Sequence, residues 1–340
     1  MDFLTRKKLY QQIESDRDAK VLAFITSNRQ NMETVIAQDC IDPFVDLLEK
    51  VGPTKRISLI LHTTGGQTLA AWRLVNLIRI FCDELEVLIP SQALSAGTLI
   101  AIGADRVVMT KQAALGPIDP SVNNPLNPQA TIRGQAMQVP VSVESVRGYL
   151  NAAREELEIK GEEALTSVLL NLTNHIHPLV LGEIFRSQAQ IRYLAEKLLP
   201  RQVSNPTQIK SIIDFLCADS GSHDYTINRR EAAELGLKVE KPSDDLYTLL
   251  RKINLSYAEE LELLRPYSTQ AVLRGAEVNS PVGYSITRGL VEGTVGGCYG
   301  FVSEGTLKQV EIQTNTGLHE GVKDDRIFEG WRKLSNDAEE

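Results

Sequence analysis

Short, almost unbroken apolar runs alternate with amphipathic stretches along the first third of the chain. KVLAFIT (20–26), RISLILHT (56–63), EVLIP (86–90) and DRVVMT (105–110) read as strands. Runs with so few polar interruptions fit strands buried on both faces of a parallel sheet. Between them, residues 33–50 show helical periodicity through Val35, Ile36, Ile41, Phe44, Leu47 and Leu48, with Pro43 marking a helix start or kink. Residues 67–82 predict a second, mostly buried helix, because Arg73, Asn76 and Arg79 are its main polar positions. A small-residue segment, SQALSAGTLIAIGA (91–104), follows as a further helix candidate. Strands and helices alternating at this spacing predict βαβ units with right-handed crossovers around a parallel sheet.

Residues 117–145 are rich in Pro, Asn, Gln and Ser, lack periodicity and read as a loop-like excursion. Helical patterns return at 146–174, 178–199 and 207–217, the second with Leu181, Ile184, Phe185, Ile191, Leu194 and Leu198 along one stripe. A short helix at 230–235 is closed by Gly236. From about residue 266, Gly, Thr, Val and aromatic residues alternate, predicting a small β-rich appendage. The expected division is therefore a domain over 1–265 and a β-rich extension over 266–340, its last residues frayed.

A chain of 340 residues is long enough for a sizeable core, and 36 Lys and Arg against 44 Asp and Glu leave a net charge of −8. That balance lacks the basic footprint that phosphate backbones demand, which argues against nucleic acid as a partner. The most apolar region, 85–104, is interrupted by Pro90, Ser91, Gln92, Ser95, Gly97 and Gly103, so no membrane span is expected. The start of the chain lacks a secretory apolar run, and a cytoplasmic location is expected. The four cysteines, Cys40, Cys82, Cys217 and Cys298, are far apart with no metal-ligand spacing and read as packed, reduced thiols.

Ser95 is the sharpest candidate for chemistry. It stands where a helix begins, in the positive end of the macrodipole, and Ala93, Ala96 and Gly97 leave room for a substrate backbone. The same position suits an N-cap serine satisfying an orphan amide. Gly65 and Gly66 end a strand and either point amides outward or merely make a turn. Among the histidines, His62 fits a strand-end residue held by backbone bonds. His177 precedes Pro178 at a helix start, while His175 and His319 read as structural and exposed.

Four motifs in order, LILHTTGGQTLAAWRL, IPSQALSAGTLIAIGADRVVM, LGPIDP and HDYTINRREAAELGLKV, resemble the ClpP-like serine peptidases of the ClpP/crotonase superfold. Within that superfold the chain resembles the serine dehydrogenase proteinase family, over about residues 20–240. The resemblance implies an α/β fold with a repeated ββα spiral core. It implies Ser95 as nucleophile, with amides of Gly66, or Gly65, and Ala96 forming an oxyanion hole. Where ClpP carries its histidine this chain reads Gly116-Pro117-Ile118-Asp119-Pro120, and where ClpP carries its acid it reads Ser222-His223-Asp224. The types look exchanged, which a triad tolerates because geometry and not chain order defines it. The expected set is Ser95, His223 as general base and Asp119 as the orienting acid, with Asp224 as a substitute acid. A Ser/Lys dyad through Lys160 or Lys111 is the rival mechanism.

One departure is the turn His62-Thr63-Thr64-Gly65-Gly66, where relatives generally place proline before the glycines. The resemblance further implies peptide or unfolded protein substrates, no metal or organic cofactor, and a homo-oligomer that uses the helix at 178–199. Two other classes compete: a catalytically silent assembly scaffold, and a crotonase-like acyl-CoA enzyme. Ser95 together with His223 and Asp119, and the lack of a basic patch for CoA phosphates, disfavour the latter.

Overall fold

The computed structural model describes residues 1–118, 121–122, 124–132, 135–219, 225–277, 279–314 and 317–335. It divides into two compact units, one of residues 1–115 with 228–340 and one of residues 116–227.

The first unit runs α1 (Phe3–Arg17), β1 (Lys20–Thr26), α2 (Ile41–Val51), β2 (Thr54–His62), α3 (Thr68–Phe81), β3 (Cys82–Ile89), β4 (Gln92–Ala93), α4 (Ala96–Ile102), β5 (Arg106–Met109) and β6 (Ala114–Leu115). β1, β2, β3 and β5 are neighbours in one sheet, and all three pairs are parallel. Val21–Ile25 and Ile57–Leu61 are buried throughout, as expected of strands covered on both faces. On one face Phe3, Tyr10 and Ile13 of α1 join Val21, Ala23, Ile25, Ile60, Leu88 and Val108 in a single apolar cluster. On the other, the ring of Phe24 meets Phe44 of α2 edge to face at 5.3 Å.

The second unit holds β7 (Ser121–Val122), β8 (Gln129–Ile132), β9 (Gln135–Gln138), β10 (Val141–Ser142), α5 (Val143–Asn151), α6 (Glu162–His175), α7 (Pro178–Leu198) and α8 (Pro206–Asp214). Its core gathers Val141, Val143, Val146, Leu172, Val180, Leu181 and Ile184. α7 begins with Pro178 at its first position, behind His177, whose Nδ1 accepts the Leu179 N–H at 3.2 Å.

The chain returns to the first unit across the short strand β11 (Ile227–Asn228). It continues through α9 (Arg229–Glu234), β12 (Val239–Glu240), α10 (Asp244–Glu260), α11 (Thr269–Val272) and three long strands, β13 (Val282–Gly293), β14 (Gly297–Thr314) and β15 (Gly317–Ser335). β12 extends the parallel part beside β5, while β13 pairs antiparallel with β1 and begins the antiparallel run β13–β14–β15. The fold is thus α/β with a strand-rich C-terminal region, and residues 282–335 lie in the same eight-stranded sheet as β1.

Several elements differ from the sequence pattern. Residues 33–37 are not helical, because Ile36 forms an isolated bridge with Gly66 and the helix starts only after it. The excursion at 117–145 contains two antiparallel pairings, β8 with β9 and β7 with β10. The helical stretch 146–174 is broken before α6 at Gly161, whose φ of +101° suits glycine. α1 and α10, absent from the reading above, fill one face of the sheet. The spacing of Leu246, Leu249, Leu250, Ile253 and Tyr257 in α10 carries the helical signal.

A buried charge cluster fastens the N-terminal helix to this C-terminal region. The guanidinium of Arg6, fully buried, donates from Nε to Glu292 Oε2 of β13 at 3.0 Å and from an Nη atom to the other carboxylate oxygen. It also donates to Ser256 Oγ of α10 at 2.9 Å, while Tyr10 donates its hydroxyl to Glu292 and meets Tyr257. Burial first, and Glu292 next, hold both tyrosine pKa values well above their ordinary range. Removing one partner strands the other charge in the core, so Arg6→Met is expected to lower stability by about 3–5 kcal/mol. Arg6→Met with Glu292→Leu should recover much of that loss. Urea unfolding of both variants measures it, and a double variant no more stable than the single one would contradict it.

Candidate active site

The site grows from two strand ends brought together by a short piece of backbone pairing. Beyond β2, Thr63 remains extended and bridges Ala93 of β4. Its N–H donates to Gln92 O at 3.1 Å, and its carbonyl accepts the Leu94 N–H at 3.0 Å. β4 is itself held by parallel pairing with β6. The glycine turn after Thr63 and the serine loop after Ala93 therefore leave the sheet side by side.

Gly65 and Gly66 take φ values of +117° and +142°, open to glycine at no steric penalty. Gly66 is fixed further by Ile36, whose N–H donates to Gly65 O and whose carbonyl accepts from Gln67 N, each at 2.8 Å. A Cβ on Gly66 would stand 2.3 Å from the Ile36 carbonyl oxygen, and one on Gly65 would stand 2.7 Å from Ser95 Cβ and 3.2 Å from its Oγ. Glycine is thus required at both positions, and the Ser95 side chain lies directly against the Gly65 backbone.

Ser95 itself carries φ +51° and ψ −114°, a conformation that strains a residue with a Cβ by about 1–3 kcal/mol. Strand–turn–helix elbows that lift a nucleophilic serine out of a sheet use this device. Gly97 permits it here: a Cβ there would stand 2.5 Å from Thr63 Cγ2. α4 is buried along its whole length, whereas Ser95 remains partly exposed. Its hydroxyl makes no capping bond to α4 and, among the described residues, no other hydrogen bond. The N-cap role is therefore not the one seen.

Three amides are candidates for stabilising an oxyanion. The Gly65 N–H is already committed, donating to Thr63 Oγ1 at 3.0 Å. The N–H groups of Gly66 and Ala96 have no acceptor among the described residues. Ala96 opens α4, where the first amides lack intrahelical partners.

Asp119, His223 and Asp224 lie outside the described residues. His177 and Lys160 belong to the second unit, where His177 caps α7 and Lys160, strongly exposed, faces Glu158 at 3.6 Å. Lys111 is exposed over the ring of Tyr247 at 4.8 Å. His175 is exposed in the last turn of α6, and His319 lies in β15. The four cysteines are buried and unbridged, and burial raises the Cys82 thiol to about 11 and Cys40 to about 12.

His62 departs from expectation. It is buried, yet neither ring nitrogen has a hydrogen-bond partner. The pleat sets it on the face of Ile60, opposite the Thr63 methyl that meets Gly97, so its ring turns away from the serine loop. Threonine pairs were the missed signal: Thr26 and Thr63, both buried, bond to each other at 2.7 Å beneath the glycine turn.

Residues 2–138 match the family model of the ClpP-like SDH-type serine proteinases. The family resemblance read from the motifs holds over this segment, which includes Gly65, Gly66, Ser95 and Ala96 and ends well before His223. The match supports peptidase function. The chain is also 27% identical over 257 residues to the uncharacterized protein MJ0137 of Methanocaldococcus jannaschii, covering 73% of this chain and 78% of that one. A second protein of the same organism, MJ1495, is 27% identical over 206 residues, covering 53% and 69%. Among solved structures, the 1510-N membrane-bound stomatin-specific protease is similar at 15% identity over 68% of this chain and 85% of its own, with a TM-score of 0.38. A variant of ClpP1 from Listeria monocytogenes is similar at 14% identity over 70% and 99%, with a TM-score of 0.36.

Burial alone pulls the His62 pKa from about 6.5 down to about 4. The unfolded chain then takes up this proton near pH 6.5 and the folded chain only near pH 4, so stability falls as pH drops through that window. Relative to His62→Leu, the parent should lose about 3 kcal/mol more between pH 6.5 and pH 4. Denaturant melts of both proteins across that range measure the difference, and parallel pH profiles would refute it.

Proposed function

We propose that the chain is a serine endopeptidase in which Ser95 Oγ attacks a peptide carbonyl and forms an acyl-enzyme. The observation that carries this reading is the Ser95 hydroxyl, which has no hydrogen-bond partner among the described residues and is held on strained backbone against the Gly65–Gly66 turn. A serine serving only structure would relax into a cap and spend its hydroxyl on an orphan amide. Strain retained without a local bond is the signature of a preorganised group. Ala96 follows Ser95 in the chain and Gly66 follows the Gly65 backbone against which the Ser95 side chain lies; their N–H groups are the donors assigned to the developing oxyanion.

In this mechanism His223 removes the Ser95 proton as the carbonyl is attacked, returns it to the leaving amine, and then activates the hydrolytic water. Asp119 fixes the ring's tautomer and stabilises the imidazolium. The chain's own groups complete the proton transfers, so no metal or organic cofactor enters the scheme. The lysine alternatives are less well supported. A dyad lysine must be desolvated to be neutral, whereas Lys160 is strongly exposed beside Glu158 and Lys111 sits exposed over Tyr247.

The substrates proposed are peptides and unfolded segments, processed by a homo-oligomer. The exposed Leu169, Leu170, Leu179 and Phe185 on α6 and α7 support assembly through these helices. Among the described residues, no helix is long and apolar enough to cross a membrane.

A fluorophosphonate probe read by intact mass tests the reaction. One adduct per chain is expected, absent in Ser95→Ala, and formed about 10²–10⁴-fold more slowly in His223→Ala. Labelling that survives Ser95→Ala refutes the nucleophile. Labelling that survives His223→Ala but is lost in Lys160→Ala replaces the triad with the dyad.

A further inference from the structure

The Thr63 side chain touches both halves of the proposed site. It is completely buried, and its hydroxyl has every capacity engaged. Oγ1 accepts from the Gly65 N–H at 3.0 Å and from the Thr26 hydroxyl at 2.7 Å, and its own proton points to the Gly65 carbonyl oxygen at 3.4 Å. Its methyl lies so close to Gly97 that a Cβ there would be only 2.5 Å away. Its backbone, paired with residues 92 and 94, sets the spacing between the glycine turn and the serine loop.

We propose that Thr63 is a positioning residue that selects the oxyanion donor: by occupying the Gly65 N–H it commits the turn to presenting the Gly66 amide. This rests on Ser95 being the nucleophile. Two adjacent glycines give the turn a freedom that would let either amide donate to the developing oxyanion. A bond from the first amide back to a side chain removes one of those arrangements. The Thr26 hydroxyl, donating to the same oxygen, holds the Thr63 rotamer that makes the bond. Thr26 ends β1 and Thr63 directly follows β2, so the constraint on the flexible turn comes from the most rigid part of the sheet. The arrangement also places the methyl of Thr63 under α4. Rotation of its χ1 would therefore disturb the amide turn and the start of the serine helix together.

Three substitutions separate the hydroxyl from the methyl. Thr63→Val keeps shape and burial but loses the oxygen, Thr63→Ser keeps the oxygen but loses the methyl, and Thr26→Val removes the donor that orients it. The readouts are the rate of Ser95 phosphonylation by the fluorophosphonate and hydrogen exchange of the Gly65 amide in protein labelled with ¹⁵N on glycine. Thr63→Val is expected to slow phosphonylation about 10–100-fold, short of the loss from removing an oxyanion donor outright, and to speed Gly65 exchange at least about tenfold. Thr63→Ser should stay within about threefold of the parent in both, and Thr26→Val should fall between. Accelerated exchange with unchanged phosphonylation in Thr63→Val would reduce Thr63 to a structural role and overturn the proposal. An equal loss in Thr63→Ser would assign the effect to the methyl and overturn it as well. Failure of the nucleophile reading shows separately, as labelling that persists in Ser95→Ala while the exchange rates still report on the Thr63–Gly65 bond.

Discussion

The geometry at Ser95 depends on the extended pairing of Thr63 with residues 92–94. Two hydrogen bonds of ordinary length, each worth about 0.5–1.5 kcal/mol, are too weak to hold two loops on their own. They succeed because β2 is already fixed in the main sheet and β4 by its parallel pairing with β6, so little further entropy is lost in forming them. The placement of the Ser95 loop beside the glycine turn follows from that register. Shifted by one residue, Thr63 would turn its hydroxyl away from Gly65, and the Ser95 loop would lose its neighbour.

The sheet holding that register is braced from far away in sequence. Arg6 and Glu292, 286 residues apart, meet in a fully buried bidentate contact that also gathers Tyr10, Ser256 and Tyr257. Such clusters seldom add net stability, because desolvating two charges offsets most of their attraction. What they impose is pairing: a charge buried without its partner is so unfavourable that β13 is tied to one position beside α1 and α10. A second, half-buried clamp repeats the logic at the other side of the sheet. There Arg17 spans Glu86 of β3 and Glu240 of β12, the latter returning to the sheet after the whole second unit. Both clamps anchor segments of the chain that follows the second unit, 228–340, to elements that precede it.

Strands and helices governed by local pattern were legible before any coordinates. β1 matches KVLAFIT, and β2, α3 and α7 lie within about two residues of the apolar runs that predict them. The losses have physical causes. Val35 and Ile36 look like the first turn of a helix, but the backbone of Ile36 is drawn away to bond both sides of Gly66, a tertiary demand that periodicity cannot express. The polar segment after Gly116 has too few apolar positions to announce the short pairings of β7 to β10, which depend on partners and not on their own residues. The motifs single out Ser95 and the glycine pair, which the structure places side by side. The commitment of the Gly65 amide to a threonine, and the role of Thr26 behind it, required the distance between side chains 37 positions apart.

Violations of local rules gather at the C-terminal ends of β2 and β4 and are scarce in the surrounding core. Ser95 keeps a positive φ without the glycine that would relieve it, its hydroxyl makes no capping bond to α4, and His62, next to Thr63 in the chain, is buried with no partner for either ring nitrogen among the described residues. Each is unfavourable by about 1–3 kcal/mol in isolation. A fold selected for stability alone would remove all three with single substitutions, such as glycine at 95 and leucine at 62. Their coexistence within one strand end and its neighbour marks this turn as the candidate site, because local rules are broken most readily where function demands it. By this reasoning the strain at Ser95 is better evidence for chemistry than the identity of the residue. Serines at helix starts are common, and serines held at positive φ without capping the helix they open are not.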